Sequence, residues 1–112
     1  MIGNPSQAIL CAMHGSPFDP PDEDDRVGVA IASLDQSPLN ALRHLPASGT
    51  CGWYIWGGTL LADPDFFSPL HVHHLVEHAP DLVPYLALAP GWRVLLAPGQ
   101  TEVWRDESLL DA

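Results

Sequence analysis

No lysine occurs anywhere in the chain, and its positive side chains are four arginines: Arg26, Arg43, Arg93 and Arg105. Without lysine there is no amine for a Schiff base. Nor is there one for a phosphate-cradling loop, and Gly57-Gly58 runs on into Thr59 and Leu60 instead. Against the four cations stand 14 aspartates and glutamates, giving a formal net charge of −10. Such a field repels phosphate backbones and anionic headgroups, and no local basic patch offsets it. Nucleic-acid and membrane-surface partners are therefore not expected.

Cysteine is almost as scarce. Cys11 and Cys51 lie far apart, and no charged segment followed by an apolar one opens the sequence, so neither secretion nor a disulfide framework is expected. Both thiols read as buried structural groups in a cytoplasmic protein. The longest apolar runs fall far short of the ~20 residues that a membrane-spanning helix needs. No G-x-S-x-G elbow occurs, and the serines sit in caps, turns or chain ends, which leaves no nucleophilic triad.

What remains is a chain of 112 residues, 46% apolar and 16% charged, enough to build a core without metal or disulfide. One domain over residues 1–112 is expected. Gln7 to Met13 is a short apolar run that reads as a strand ending at His14-Gly15-Ser16-Pro17. Phe18 to Asp25 (FDPPDEDD) reads as a solvated, mobile acidic loop, and Val27 to Ser33 as a strand in which Gly28 marks a bulge or a close backbone approach. Asp35 to Leu45 is a short helix with a Leu39, Leu42, Leu45 stripe, or an irregular turn.

Trp53 to Trp56, closed by Gly57-Gly58, is the clearest strand. Both of its faces carry aromatic bulk, which places it centrally in a sheet. Asp63-Pro64-Asp65 is a turn or helix start whose carboxylates read as solvated caps. Ser68-Pro69 would cap a helix of about three turns over Leu70 to Ala79, followed by a short helix from Pro80 that turns Leu82, Tyr85 and Leu86 inward. Trp92 to Ala97, the turn Pro98-Gly99 and Thr101 to Arg105 form a hairpin, with a polar tail after it. The irregular mixture predicts a small α+β fold, a mainly antiparallel sheet packed with two or three short helices.

Two constellations carry possible chemistry. The first is His71, His73, His74 and His78 within ten residues. On one helix His71, His74 and His78 share a face and His73 points away. A single helix does not readily wrap three ligands around one ion, so the expected role is a solvated or partly buried histidine face, with no metal and no cofactor. The alternative is a small metal-binding protein or metal-dependent hydrolase using His71, His74 and His78, since His74 to His78 also spells H-x-x-E-H. The second is the tryptophan set Trp53, Trp56, Trp92 and Trp104, expected to pack rather than to line a ligand cage.

The order Ser48-Gly49-Thr50-Cys51-Gly52-Trp53-Tyr54-Ile55-Trp56-Gly57-Gly58, then Asp63-Pro64-Asp65-Phe66-Phe67, Pro69-Leu70-His71 with His74-Leu75, Pro84-Tyr85-Leu86 and Pro90-Gly91-Trp92-Arg93, resembles the immunity protein thirty-three domain family of bacteria. The resemblance covers residues 48–104, about half of the chain, and is weaker before them. It implies an α+β immunity protein, not an enzyme, that binds and neutralises a cognate toxin of a polymorphic-toxin system in the cytoplasm. Gly52, Trp53, Trp56, Gly57 and Trp92 would then be structural. Toxins of this kind are often basic nucleases, and a charge of −10 would attract them over a Debye length or more. Asp22, Glu23, Asp24 and Asp25, with Asp63, Asp65 and Glu77, are the residues expected to face such a partner.

Overall fold

The first apolar run forms a helix, α1 (Pro5–His14), and not the expected strand. Its ends explain why. The Asn4 side chain accepts a hydrogen bond from the Gln7 amide, Pro5 occupies the first turn and Gly15 closes the far end. Burial follows helical spacing, since Gln7 and Cys11 are covered while Ile9 and Met13 are 62% and 76% exposed. A strand would have put all four on one face. The computed structural model describes residues 2–47, 49–63 and 65–111. Ser48, at the head of the glycine-tryptophan segment, and Pro64, inside the Asp63 turn, lie outside the described residues.

Among the described residues six strands form one sheet: β1 (Arg26–Val29), β2 (Leu39–Arg43), β3 (Thr50–Gly57), β4 (Ser68–His71), β5 (Trp92–Ala97) and β6 (Gln100–Arg105). Their order is β4-β1-β3-β2-β5-β6; only the β1–β3 pair is parallel. With α1, the helix α2 (Val72–His78) and short 3-10 segments, this is the α+β architecture expected. β3 is central, and β5 and β6 form the hairpin around Pro98-Gly99.

Three local expectations give way to tertiary context. The Leu39, Leu42, Leu45 stripe belongs to no helix: β2 lies between β3 and β5 and buries Ala41 and Arg43 at strand spacing, while Leu45 lies beyond its end, 52% exposed. The strand from Val27 stops at Val29, and Ile31–Ser33 is a 3-10 turn. Ser68-Pro69 is no helix cap. These residues lie in β4, an edge strand where the missing proline N–H leaves no ladder bond unmade, and α2 is correspondingly shorter, about two turns.

One sheet face packs under α1, α2 and the 3-10 segment Pro80–Tyr85. Val27, Val29, Trp53, Ile55, Val94 and Trp92 meet Cys11, Val72, Leu75, Leu82 and Leu86 in one core, and Trp53 Nε1 donates to the Leu86 carbonyl at 2.9 Å. The Gln7 amide group reaches the Val83 carbonyl at 2.6 Å and ties α1 to this layer. The tail is not merely polar, because the 3-10 turn Glu107–Leu110 returns and buries Leu109.

The glycines of the tryptophan segment have specific causes. Gly52 has φ +99°, and a Cβ there would lie 2.0 Å from the His44 carbonyl oxygen. At Gly57 a Cβ would fall 2.0 Å from the Ser33 carbonyl oxygen. Between Arg26 and Gly28 the β1–β3 register shifts, as the expected bulge requires, and what approaches Gly28 closely is a side chain, the Tyr54 ring, which occupies the space a Cβ would take.

Candidate partner-binding surface

Asp22, Glu23 and Asp24 are exposed and Asp25 is partly covered, so their carboxylates face solvent as expected. The backbone beneath them is pinned. The Val72 and His73 amides, at the start of α2, donate to the carbonyls of Asp25 and Glu23 at 2.8 and 3.1 Å. The Asp22 amide donates to the Asp25 carboxylate at 3.0 Å, and Asp19 N–H to the Ala87 carbonyl at 2.8 Å. The acidic loop is thereby fixed beside the start of α2, and exposed Glu77 rides on that helix.

Asp63 and Asp65 do not join this group. They precede β4 at Ser68, which pairs with Val29, whereas the acidic loop enters β1 at Arg26, opposite His71. The two sets of carboxylates therefore flank opposite ends of the β1–β4 pair, roughly 10 Å of strand apart. The Asp65 amide donates to Asp63 Oδ1 at 2.9 Å, a solvated turn.

The sheet face turned away from the helices carries a surface that the sequence reading did not single out. Register aligns Pro69, Gly28, Tyr54, Leu42, Arg93 and Trp104 in one row across all six strands. Phe67 packs edge-on against Tyr54 and Trp56, with centroids 5.3 and 6.1 Å away, and His44 meets Tyr54 at 5.6 Å. Leu42, His44, Tyr54, Trp56, Leu60 and Phe67 line an open, mostly apolar hollow of ≈ 250 Å³. Leu60, which lines it, is 52% exposed, and its chain neighbour Leu61 is 55% exposed. The signal available in sequence was the alternation of β3, which turns Tyr54 and Trp56 away from Trp53 and Ile55. At the far end of the row Arg93 lies 5.3 Å over the Trp104 ring and pairs with Asp106 at 3.2 Å. Hydrogen bonds from Ser108 and Arg93 hold the Asp106 carboxyl below the usual carboxylate range.

The histidines divide differently from the helix reading. His71 ends β4 with extended backbone, φ −67° and ψ 145°, while His73, His74 and His78 belong to α2. The nitrogens of His71, His73 and His74 lie within 4.8 Å of one another; His78 is not among them.

Both thiols are free and buried, and desolvation raises their pKa values. Gly52, Trp53, Trp56, Gly57 and Trp92 are all buried, and Trp56 also contributes to the lining of the hollow. No helix among the described residues is long and apolar enough to cross a membrane.

A model of the Imm33-like domain family matches residues 6–106. The match starts well ahead of Ser48, so it takes in most of α1, the acidic loop, β1 and β2 as well as the glycine-tryptophan strand. No curated protein and no solved structure matches the chain.

Proposed function

The chain belongs to the Imm33-like domain family, and from that premise we propose that it is an immunity protein that binds a cognate bacterial toxin in the cytoplasm and neutralises it by stoichiometric masking. Residues 1–112 act as one binding domain, without turnover and without a catalytic cofactor. The observation that carries this reading is the family match over nearly the whole chain.

Charge and shape support a division of labour on the surface. The partner is a basic protein, drawn in by a net charge of −10 of which Asp22, Glu23, Asp24 and Asp25 form the densest part, with Glu77 beside them. Asp63 and Asp65 act at the other end of β4. Charges of this kind raise association rates, whereas an apolar hollow with an exposed leucine, Leu60, in its lining holds a partner once it has docked. The hollow at Tyr54, Trp56 and Phe67 is the anchoring surface in this scheme.

The test is co-expression with the toxin domain encoded at the same locus. The expected result is restored growth and a purified complex of one chain per toxin, with toxin activity lost in proportion to the chain added. Growth arrest that persists while the folded chain is present at equal amount would overturn the reading.

A further inference from the structure

We infer that His71, His73 and His74 form a binding site for one divalent transition-metal ion of the nickel, copper and zinc series. Imidazole nitrogen is a preferred ligand of these ions, and three neutral imidazoles leave a fourth position open to water.

The geometry removes the objection that one helix cannot surround an ion. His71 projects from the last residue of a strand, and His73 and His74 from the first turn of the helix that follows, so the three side chains leave two different backbone conformations. They converge. Ring centroids are 5.4 Å apart for His71 and His73, 5.9 Å for His71 and His74, and 4.1 Å for His73 and His74. The possible ligand nitrogens already lie within 4.8 Å of one another. Around a tetrahedral ion with metal–nitrogen distances near 2.0–2.1 Å they need to be roughly 3.4 Å apart. His73 and His74 are exposed, so side-chain rotation can close the remaining gap without moving the core.

The backbone of this junction is held from three sides. His71 pairs with Arg26 in the β1–β4 ladder, and Val72 beneath the cluster is fully buried. The Val72 and His73 amides are engaged by the acidic loop. That preorganisation lowers the ordering cost of binding. His71 and His74 also line a shallow depression of ≈ 350 Å³ with Arg26, Pro69 and Leu70. Arg26 is the cation there, and it directly follows the four acidic residues Asp22 to Asp25 in the chain. The inference is independent of the toxin-binding reading.

The experiment is calorimetric titration of zinc chloride into the untagged full chain and into the single variants His71→Gln, His73→Gln, His74→Gln and His78→Gln. Circular dichroism before metal addition checks that each is folded. One saturable equivalent is expected, with affinity lowered about tenfold or more by loss of any of the first three histidines and unchanged by loss of His78. His73 and His74 are exposed, so their variants keep the test valid even if the His71 variant folds poorly. Binding that depends on His74 and His78 but not on His73 would place the ion on the helix face and overturn the proposal. So would the lack of a saturable one-equivalent phase.

Discussion

The Arg43 guanidinium lies 5.7 Å from the centre of the Trp53 ring, inside the core, where Arg43 is only 2% exposed. No carboxylate pairs with it among the described residues. Instead Nε donates to the Cys51 carbonyl at 2.9 Å, and one terminal nitrogen donates to the carbonyls of Asp19 and Leu88, each at 2.7 Å. One side chain thus ties the approach to the acidic loop, the glycine-tryptophan strand and the segment before β5 together. Its desolvation lowers the guanidinium pKa, with the thiol and carboxylate groups nearby opposing that shift. Arg43→Met would remove the guanidinium donor from three carbonyls, those of Cys51 and Leu88 in buried hydrogen bonds and that of Asp19 in a partly buried one. Urea unfolding is expected to show a loss of about 3–5 kcal/mol, the range for stranding buried polar groups. Arg43→Lys, which keeps the charge and part of the bonding, should lose less.

Gly52 sits across from this arginine's own strand, with φ +99° and the His44 carbonyl oxygen where a side chain would begin. The His44 amide donates back to the Gly52 carbonyl at 2.9 Å, so the two backbones cannot separate without breaking that bond. Gly52→Ala is expected to cost about 3–5 kcal/mol, from strain and collision together. Thermal unfolding of the purified variant measures it; a loss below 1 kcal/mol would show that the strands move apart freely.

Much of the fold was legible where two signals agreed. Trp53 to Trp56 alternates and is closed by glycines, and β5 and β6 flank a proline-glycine turn. Signals conflicted elsewhere. The apolar run at Gln7 has the length of a strand, and only Asn4-Pro5 before it and Gly15 after it mark a helix. Leu39, Leu42 and Leu45 have helical spacing, but neighbours on both sides claim the segment for the sheet. The Arg43 partners lie at positions 19, 51 and 88, a convergence that only the tertiary fold creates. Histidine density announced a cluster. Which three meet depended on where β4 hands over to α2.

The Asp106 carboxylate accepts from the Ser108 hydroxyl at 2.6 Å, from Arg93 at 3.2 Å and from the Ser108 amide at 3.1 Å, and its pKa in the folded chain is depressed. A depressed folded pKa means that the stabilisation is fully present above the unfolded value, near 4, and is lost as pH falls through the folded value. Asp106→Asn should therefore be less stable than the parent at pH 6. The gap should narrow as the pH is lowered below about 4, where the parent carboxylate is itself protonated. Urea midpoints for the two proteins across this range measure it, and a gap that is constant with pH would assign the effect to shape rather than charge.

The acidic loop and the aromatic hollow should leave different kinetic signatures on toxin capture. Asp22, Glu23 and Asp24 are exposed and Asp25 is partly covered, so reversing the four to lysine should slow association and flatten its dependence on salt, with little change in dissociation. Leu60→Ser, in the lining of the hollow, and Leu61→Ser beside it in the chain alter exposed residues and leave net charge unchanged. These variants should speed dissociation while association and its salt slope stay near those of the parent, because short-range packing acts after encounter. Surface-bound toxin and stopped-flow mixing over 50 to 300 mM salt, a range of about 14 down to 6 Å in Debye length, would separate the two. If charge reversal left both association rate and salt slope untouched, steering by this loop would be wrong even with immunity intact. If the leucine variants left dissociation unchanged, the partner would be held elsewhere than at Tyr54, Trp56 and Phe67.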